Sequence, residues 1–433
     1  MSTRVPESEP VLRSAAAVVP VEGPPVLRGG AVVSGQTIVR VGAIADLRHE
    51  FPGVREESWN RHVLLPGLIN AHCHLELGWL RGRLPAGHFV DWVQGLIRAS
   101  MALADRTNVV AGAARAAMDE SLRFGVTTVG DITRHAAITR QVLRPGPLRV
   151  VSFGEVAGMG ARRWQAVELL AAAADRGFDS STLQAGISPH APYTVEGPVL
   201  SSAVERALAG HLPVTMHLAE LREEVEFLST CGGRLREVWQ MLGNADELLD
   251  ASIPRFAGGP LRWAQHWGLF DLPRQDVPVA LGHVNYCDDE ELAILAPSGV
   301  SVVYCPRTRA FFGHEAIRLH RFRDMLAAGI NVALGTDSLA SNPDLSILRE
   351  GQFLRGLHPD TPAATLLDMM TLRAARALGM AEHVGSLVSG KQADIIALEL
   401  PETALQNARD LPDAIIALAP HPAAVWIAGH RVH

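Results

Sequence analysis

Eight short apolar runs, each followed by helix-compatible sequence, recur through the middle of this 433-residue chain and constrain its fold more than any other feature. The first runs from Val63 to Ala71 and ends in His72-Cys73-His74. The others are Gly125 to Asp131, Leu148 to Glu155, Leu183 to His190, Pro213 to His217, Val279 to His283, Val300 to Pro306 and Asn331 to Asp337. Runs this short, rich in Val and Ile and bounded by Gly or Pro, read as buried strands. Helical sequence lies between them, at Val109 to Phe124, Trp164 to Arg176, Pro198 to Ala209 and Leu319 to Ala328. Eight βα units close naturally into a barrel. The expectation is therefore an α/β protein built on a (β/α)8 TIM-type barrel.

The two ends differ from the middle. Leu27 to Val33, Thr37 to Gly42, Ala393 to Leu398 and Ala424 to Val432 read as strands with glycine turns. They predict a small β-sandwich domain assembled from both termini, residues 1–64 and 383–433, flanking a barrel over 65–382. The connection from 221 to 275 is long for a barrel loop. It reads equally as a lid over a site or as a surface insertion.

Composition excludes some partners. Lys and Arg number 39 against 46 Asp and Glu, a net charge of -7, and no long block of like charge occurs. That gives no footprint for nucleic acid or an anionic membrane. Cys73, Cys231, Cys287 and Cys305 are dispersed without a C-x-x-C pair, which suits a reducing cytoplasm. Glu7 and Glu9 precede a short Ala/Val run broken by Pro20, so no secretory signal is expected.

Alternate residues of a strand share a face, so His72 and His74 aim two imidazoles one way and Cys73 the other. Neutral imidazole is a common metal ligand, and this pair reads as half of a metal site. His190, His217, His283 and Asp337 end later strands. One strand-end histidine is ordinary packing. Five histidines and an aspartate at the same end of successive strands, the face where barrel enzymes build active sites, are not.

Several motifs carry a family resemblance. Leu65-Pro66-Gly67-Leu68-Ile69-Asn70-Ala71-His72-Cys73-His74 resembles the first-strand motif of the amidohydrolase superfamily. His217-Leu218-Ala219-Glu220 resembles the H-x-x-E of its adenosine- and cytosine-deaminase-like branch. Gly335-Thr336-Asp337-Ser338-Leu339-Ala340-Ser341-Asn342 and Gly385-Ser386-Leu387 through Lys391-Gln392-Ala393-Asp394 resemble the later motifs, in the family's order.

The resemblance implies one divalent metal, zinc with iron as the alternative, held by His72, His74, His217 and Asp337. Asp337 would take a proton from the attacking water, Glu220 would shuttle protons to the substrate ring and leaving group, and His283 would hydrogen-bond the water or oxyanion. It further implies a substrate contact at His190; Glu76, Arg81, Ser341 and Asn342 are further candidate substrate contacts. Glu76 also reads as a support for a ligand or as a plain loop carboxylate. Trp92 reads as core or cavity mouth, and His314 as a substrate contact or a solvated loop residue. His135, His211, His320 and His358 read as ordinary scattered histidines. No lysine ends the fourth strand, where binuclear members carry a carboxylated bridge, so a mononuclear site is favoured. His74-Leu75-Glu76 satisfies the H-x-E of zinc cytidine deaminases, but their later P-C-x-x-C is missing.

The implied reaction is hydrolytic removal of an exocyclic amino group from a purine-like base or nucleoside. Within the branch the chain looks most like aminodeoxyfutalosine deaminases of the futalosine route to menaquinone. Hydrolysis of a triazine-like ring is a second reading, and a non-catalytic metal-binding barrel a third. The partner is a small heterocyclic molecule, and relatives of this kind are often homodimers.

Overall fold

The computed structural model describes residues 9–243 and 255–433. The first eight residues, including Glu7, and residues 244–254 within the 221–275 connection lie outside the described residues. No described helix is long and apolar enough to cross a membrane.

The chain opens with β1 (Val11–Val18), β2 (Val26–Leu27), β3 (Gly29–Ser34), β4 (Thr37–Ala43) and β5 (Arg55–Pro66). The middle supplies β6 (Leu68–His74), β7 (Val126–Thr133), β8 (Arg149–Val156), β9 (Leu183–Pro189), β10 (Val214–Leu218), β11 (Val279–His283), β12 (Ser301–Tyr304), β13 (Asn331–Leu334) and β14 (Asp337–Ser338). The chain closes with β15 (Ile395–Glu399), β16 (Pro422–Ile427) and β17 (His430–Arg431).

Strands β6 to β13 pair in sequence order, all parallel, as one curled sheet. Helical segments follow the strands, among them Ala136–Leu143, Gln165–Ala173, Gly197–Gly210 and Asp289–Leu295. Parallel strands need such crossovers, and both faces of the sheet are then covered. Every residue of β6, β7, β8, β10, β11 and β12 is accordingly buried.

The eighth strand is broken. The sequence suggests a single run to Asp337, but Gly335 and Thr336 separate β13, which pairs β12, from β14, which pairs β6 through Asp337 and Cys73. The cause is local. A side chain on Gly335 would meet the Cβ of His72 at 2.7 Å, so the backbones approach closely only with glycine there. Thr336 then bonds Asn70 in both directions, N–H to Oδ1 at 3.0 Å and Oγ1 accepting from Nδ2 at 2.7 Å. The break brings the last strand back to the first and sets Asp337 beside His74.

The terminal strands share a separate mixed sheet, in the order β17-β16-β15-β5-β1-β3-β4, with β2 beside β1. Ala15, Val33, Ile38, Leu64, Ile395 and Trp426 form a core of their own, while Val63, Leu65, Ile396 and Leu398 pack with barrel residues. The expected helix from Leu319 is shorter, Phe322–Ala327, because Leu319 is exposed and His320 turns inward.

Candidate active site

Four strands bring polar side chains to a common centre. His72 and His74 come from β6, His217 from β10, His283 from β11 and Asp337 from β14. Nε2 of His74 lies 3.2 Å from Nε2 of His217 and 3.5 Å from Asp337 Oδ1. The ring of His72 lies 4.8 Å from that of His217 and 5.0 Å from that of His283. His72, His74 and Asp337 each offer a ligand atom within 4.8 Å of the others, as do His72, His217 and His283.

The donor set fits a divalent metal. Both ring nitrogens of His72 are buried without a hydrogen-bond partner, a cost that a bound cation removes. Burial, then His283 and His74, push the His72 pKa well down. Burial, then neighbouring histidines, do the same at His217. Neutral imidazole is the form that ligates. The His217 Nδ1–H donates to the His190 carbonyl at 3.2 Å, which turns the Nε2 lone pair toward the centre.

Backbone strain concentrates here. Ala219, His283, Val284 and Asp337 all have φ between 47° and 70°. Residues without glycine's freedom hold such a conformation only where surrounding structure fixes it. Around His283 that support is visible: its carbonyl accepts a hydrogen bond at 2.9 Å from Nε2 of His320, which stacks on Tyr304 with ring centroids 3.9 Å apart. The sequence marks His320 as an ordinary histidine; its spacing carries no signal of this contact.

Glu220 Oε1 lies 3.7 Å from His283 Nε2, and both side chains are buried. Burial, then Asp337 and Glu224, push the Glu220 carboxyl well above its usual range. Burial lowers the His283 pKa to about 4, against the pull of Asp337. Burial thus favours the uncharged form of both groups, and the pair sits beside the cluster of His72, His74, His217 and Asp337.

A cavity of about 1200 Å³, counted to its open mouth, lies over this centre. Its walls are mainly apolar: Phe89, Trp92, Leu96, Ile97, Val238, Trp239 and Phe312. Val238 and Trp239 belong to the 221–275 connection, whose helix Arg234–Met241 therefore forms cavity wall. No periodicity in that segment distinguishes a cavity-facing residue from a core one. Trp92 is both buried and wall-forming.

His190 faces the cavity as expected, with Nδ1 held 2.7 Å from Thr194 Oγ1. The other suggested substrate contacts are engaged with protein partners. Glu76 borders the cavity, but it accepts from Thr133 Oγ1, from the N–H groups of Arg134 and His135, and faces His135 Nδ1 at 3.0 Å, so it ties down the loop after β7. Arg81 ion-pairs with Glu120 and is not among the cavity residues. Ser341 lies 3.3 Å from Asp337 Oδ2, and Asn342 donates to the Thr336 carbonyl and to Glu350, both at 2.7 Å. Ser341 and Asn342 brace the Asp337 turn from outside the cavity. His314 is buried, 2.9 Å from the Tyr286 hydroxyl, and is neither a solvated loop residue nor cavity wall.

Comparison with known proteins agrees with this architecture. A 5-methylthioadenosine/S-adenosylhomocysteine deaminase of Moorella thermoacetica is 28% identical over 404 residues, 91% of this chain and 86% of that protein. An aminodeoxyfutalosine deaminase of Deinococcus radiodurans is 29% identical over 368 residues, 81% of each chain. The crystal structure of an adenosine deaminase from Xanthomonas campestris with bound zinc superposes with a TM-score of 0.81 at 26% identity, covering 99% of this chain and 93% of the other. The amidohydrolase family model matches residues 63–432, from the end of β5, just before the strand that carries His72-Cys73-His74, to the last strand, and the chain belongs to the amidohydrolase family.

Proposed function

We propose that this protein is a metal-dependent hydrolytic deaminase, replacing the exocyclic amino group of a purine-like nucleoside with oxygen from water. The observation that carries the reading is the Glu220–His283 pair, 3.7 Å apart beside the His72, His74, His217 and Asp337 cluster at the floor of an apolar cavity.

One divalent ion held by those four residues supplies a Lewis acid and lowers the pKa of water toward neutrality. His and Asp ligands suit zinc and iron alike; the zinc-bound structural neighbour supports zinc. Asp337 accepts the proton of the attacking water. Glu220, whose carboxyl burial pushes up, donates its proton to the ring nitrogen next to the amino-bearing carbon; left ionised, it takes the proton of the added hydroxyl and passes it to the amino group, which leaves as ammonia, and the proton held by Asp337 restores it. The neutral His283 donates to the oxygen that develops charge. The apolar walls exclude water and stack the ring. The names of the Moorella and Deinococcus relatives support an aminated nucleoside, with aminodeoxyfutalosine as the leading candidate. The division into a barrel, 65–382, and a small β unit from 1–64 and 383–433 is proposed with it; the separate terminal sheet and its own core support that division.

Ammonia release from aminodeoxyfutalosine, adenosine, 5-methylthioadenosine and S-adenosylhomocysteine tests the activity, and silence on all four overturns it. In the same assay Glu220→Gln should lose at least about 10²-fold in kcat with metal content unchanged. His217→Ala should instead lose the metal.

A further inference from the structure

One buried carboxylate in the cavity has no part in the scheme above. Val151, Phe153 and Glu155 lie on one face of β8 by strand alternation. The first two pack among Ile69, Ala71 and Val303, while Glu155, at the strand's end, reaches the cavity. Its side chain is only 7% exposed.

The two carboxylate oxygens differ. Oε1 pairs with Arg134 Nε at 3.3 Å. Oε2 faces His190 Nε2 at 3.9 Å, beyond hydrogen-bond distance, and has no other partner among the described residues. Glu76, by contrast, has its acceptors filled by the loop after β7. Oε2 therefore faces the cavity as an acceptor with no protein donor, a position open to a donor from the ligand.

The identity of that donor follows from His190. Nδ1 shares one hydrogen with Thr194 Oγ1. If Nδ1 carries it, Nε2 presents a lone pair, and the bound group must donate to Glu155. If Thr194 donates, Nε2 bears hydrogen, and the bound group accepts from His190 while donating to Glu155. A hydroxyl meets the demand of either tautomer, since it donates to Glu155 and can also accept from His190; an ammonium group serves only the first tautomer, and an ether, thioether or halogen serves neither. We infer that Glu155, braced by Arg134 and set across a 3.9 Å gap from His190, is a substrate-binding residue that holds a sugar hydroxyl of the nucleoside. The inference rests on the nucleoside reading and adds the part of the molecule that is recognised.

The test is calorimetric binding to the zinc-loaded protein of purine riboside, which has no leaving group, and of its 2′-deoxy, 3′-deoxy and 2′,3′-dideoxy forms. In wild type at least one deoxy form should bind about 10- to 100-fold more weakly, the effect of leaving a buried charged acceptor unpaired. Glu155→Leu should bind riboside and dideoxy forms within about threefold of each other; Arg134 is more than half exposed and tolerates the loss of its partner. Equal binding of all four ligands by wild type, no binding of any, or a penalty that persists in Glu155→Leu overturns the assignment. The wild-type series alone decides it if the variant fails to fold. Hydroxyl-dependent binding without ammonia release would keep the subsite and sink the deaminase; ammonia release with no hydroxyl dependence would do the reverse.

Discussion

His320 touches the backbone of the candidate centre without lining the cavity. It donates to the carbonyl of His283, whose backbone sits at φ 70°, and its ring stacks on Tyr304. His320→Phe keeps a ring against Tyr304 and removes the donor. The expected result is a fall in kcat of about 10- to 100-fold with KM little changed, and partial rescue in His320→Gln. Equal losses in kcat and in thermal stability, without rescue, would mark a packing role only. At this scale the sequence was uneven as a guide. His72, His74, His190, His217, His283 and Asp337 stood out because their residue types recur at strand ends. Arg81, Ser341 and Asn342 share the same neighbourhoods in sequence, yet their partners are Glu120, Asp337 and Glu350, and those pairings depend on contacts that only folding creates. Glu155 ended an expected strand and passed without notice, because one acid at a strand end has no distinguishing pattern.

The strand is the element that sets distances in this site. Gly282 on β11 faces His72 so closely that a Cβ there would lie 2.7 Å from His72 Cε1. Gly282→Ala should therefore shift the His72 ring and lower metal affinity by about tenfold or more, measured by competition with a chelator, while the overall fold persists. A second prediction concerns β7. Burial pushes the Asp131 carboxyl up to about 8, although the Leu75 N–H, donating at 2.9 Å, pulls it down. In the unfolded chain an Asp ionises near about 4. Between those values the folded protein holds a proton that the unfolded chain has released, so stability falls as pH rises through the window. Asp131→Asn removes that dependence and keeps an acceptor for Leu75. Its thermal midpoint relative to wild type should climb between about pH 5 and about pH 8 and then level off. A flat difference across that range would refute it. Strand positions were legible because short buried runs with glycine boundaries are local features. The break at Gly335-Thr336 was not, since its cause is the approach of His72 and Asn70 on the neighbouring first barrel strand, far away in the sequence.

Across the whole molecule, the terminal sheet and the barrel are joined by a buried ion pair. Arg149, at the start of β8, donates to both carboxylate oxygens of Asp394, at 2.6 and 3.1 Å, with both side chains nearly inaccessible. Asp394 also accepts from the Ala428 N–H, and its carbonyl accepts from Gly67. Arg149→Met leaves the carboxylate buried and uncompensated, which should cost roughly 3–5 kcal/mol in denaturant unfolding while leaving ligand binding by the folded fraction intact. A loss below about 1 kcal/mol would show that the pair carries no such weight. The closing Lys391-Gln392-Ala393-Asp394 motif thus acquires a physical role as the anchor between the two sheets. By itself the sequence determined the alternation of strands and helices, the assembly of terminal strands and the histidines and aspartate that meet at the strand ends, because periodicity and residue type are written locally. The tertiary structure alone decided which polar neighbours face the cavity, which part of the 221–275 connection walls it, and where the last strand breaks. Those depend on the distance between residues far apart in the chain, and no local pattern encodes that distance.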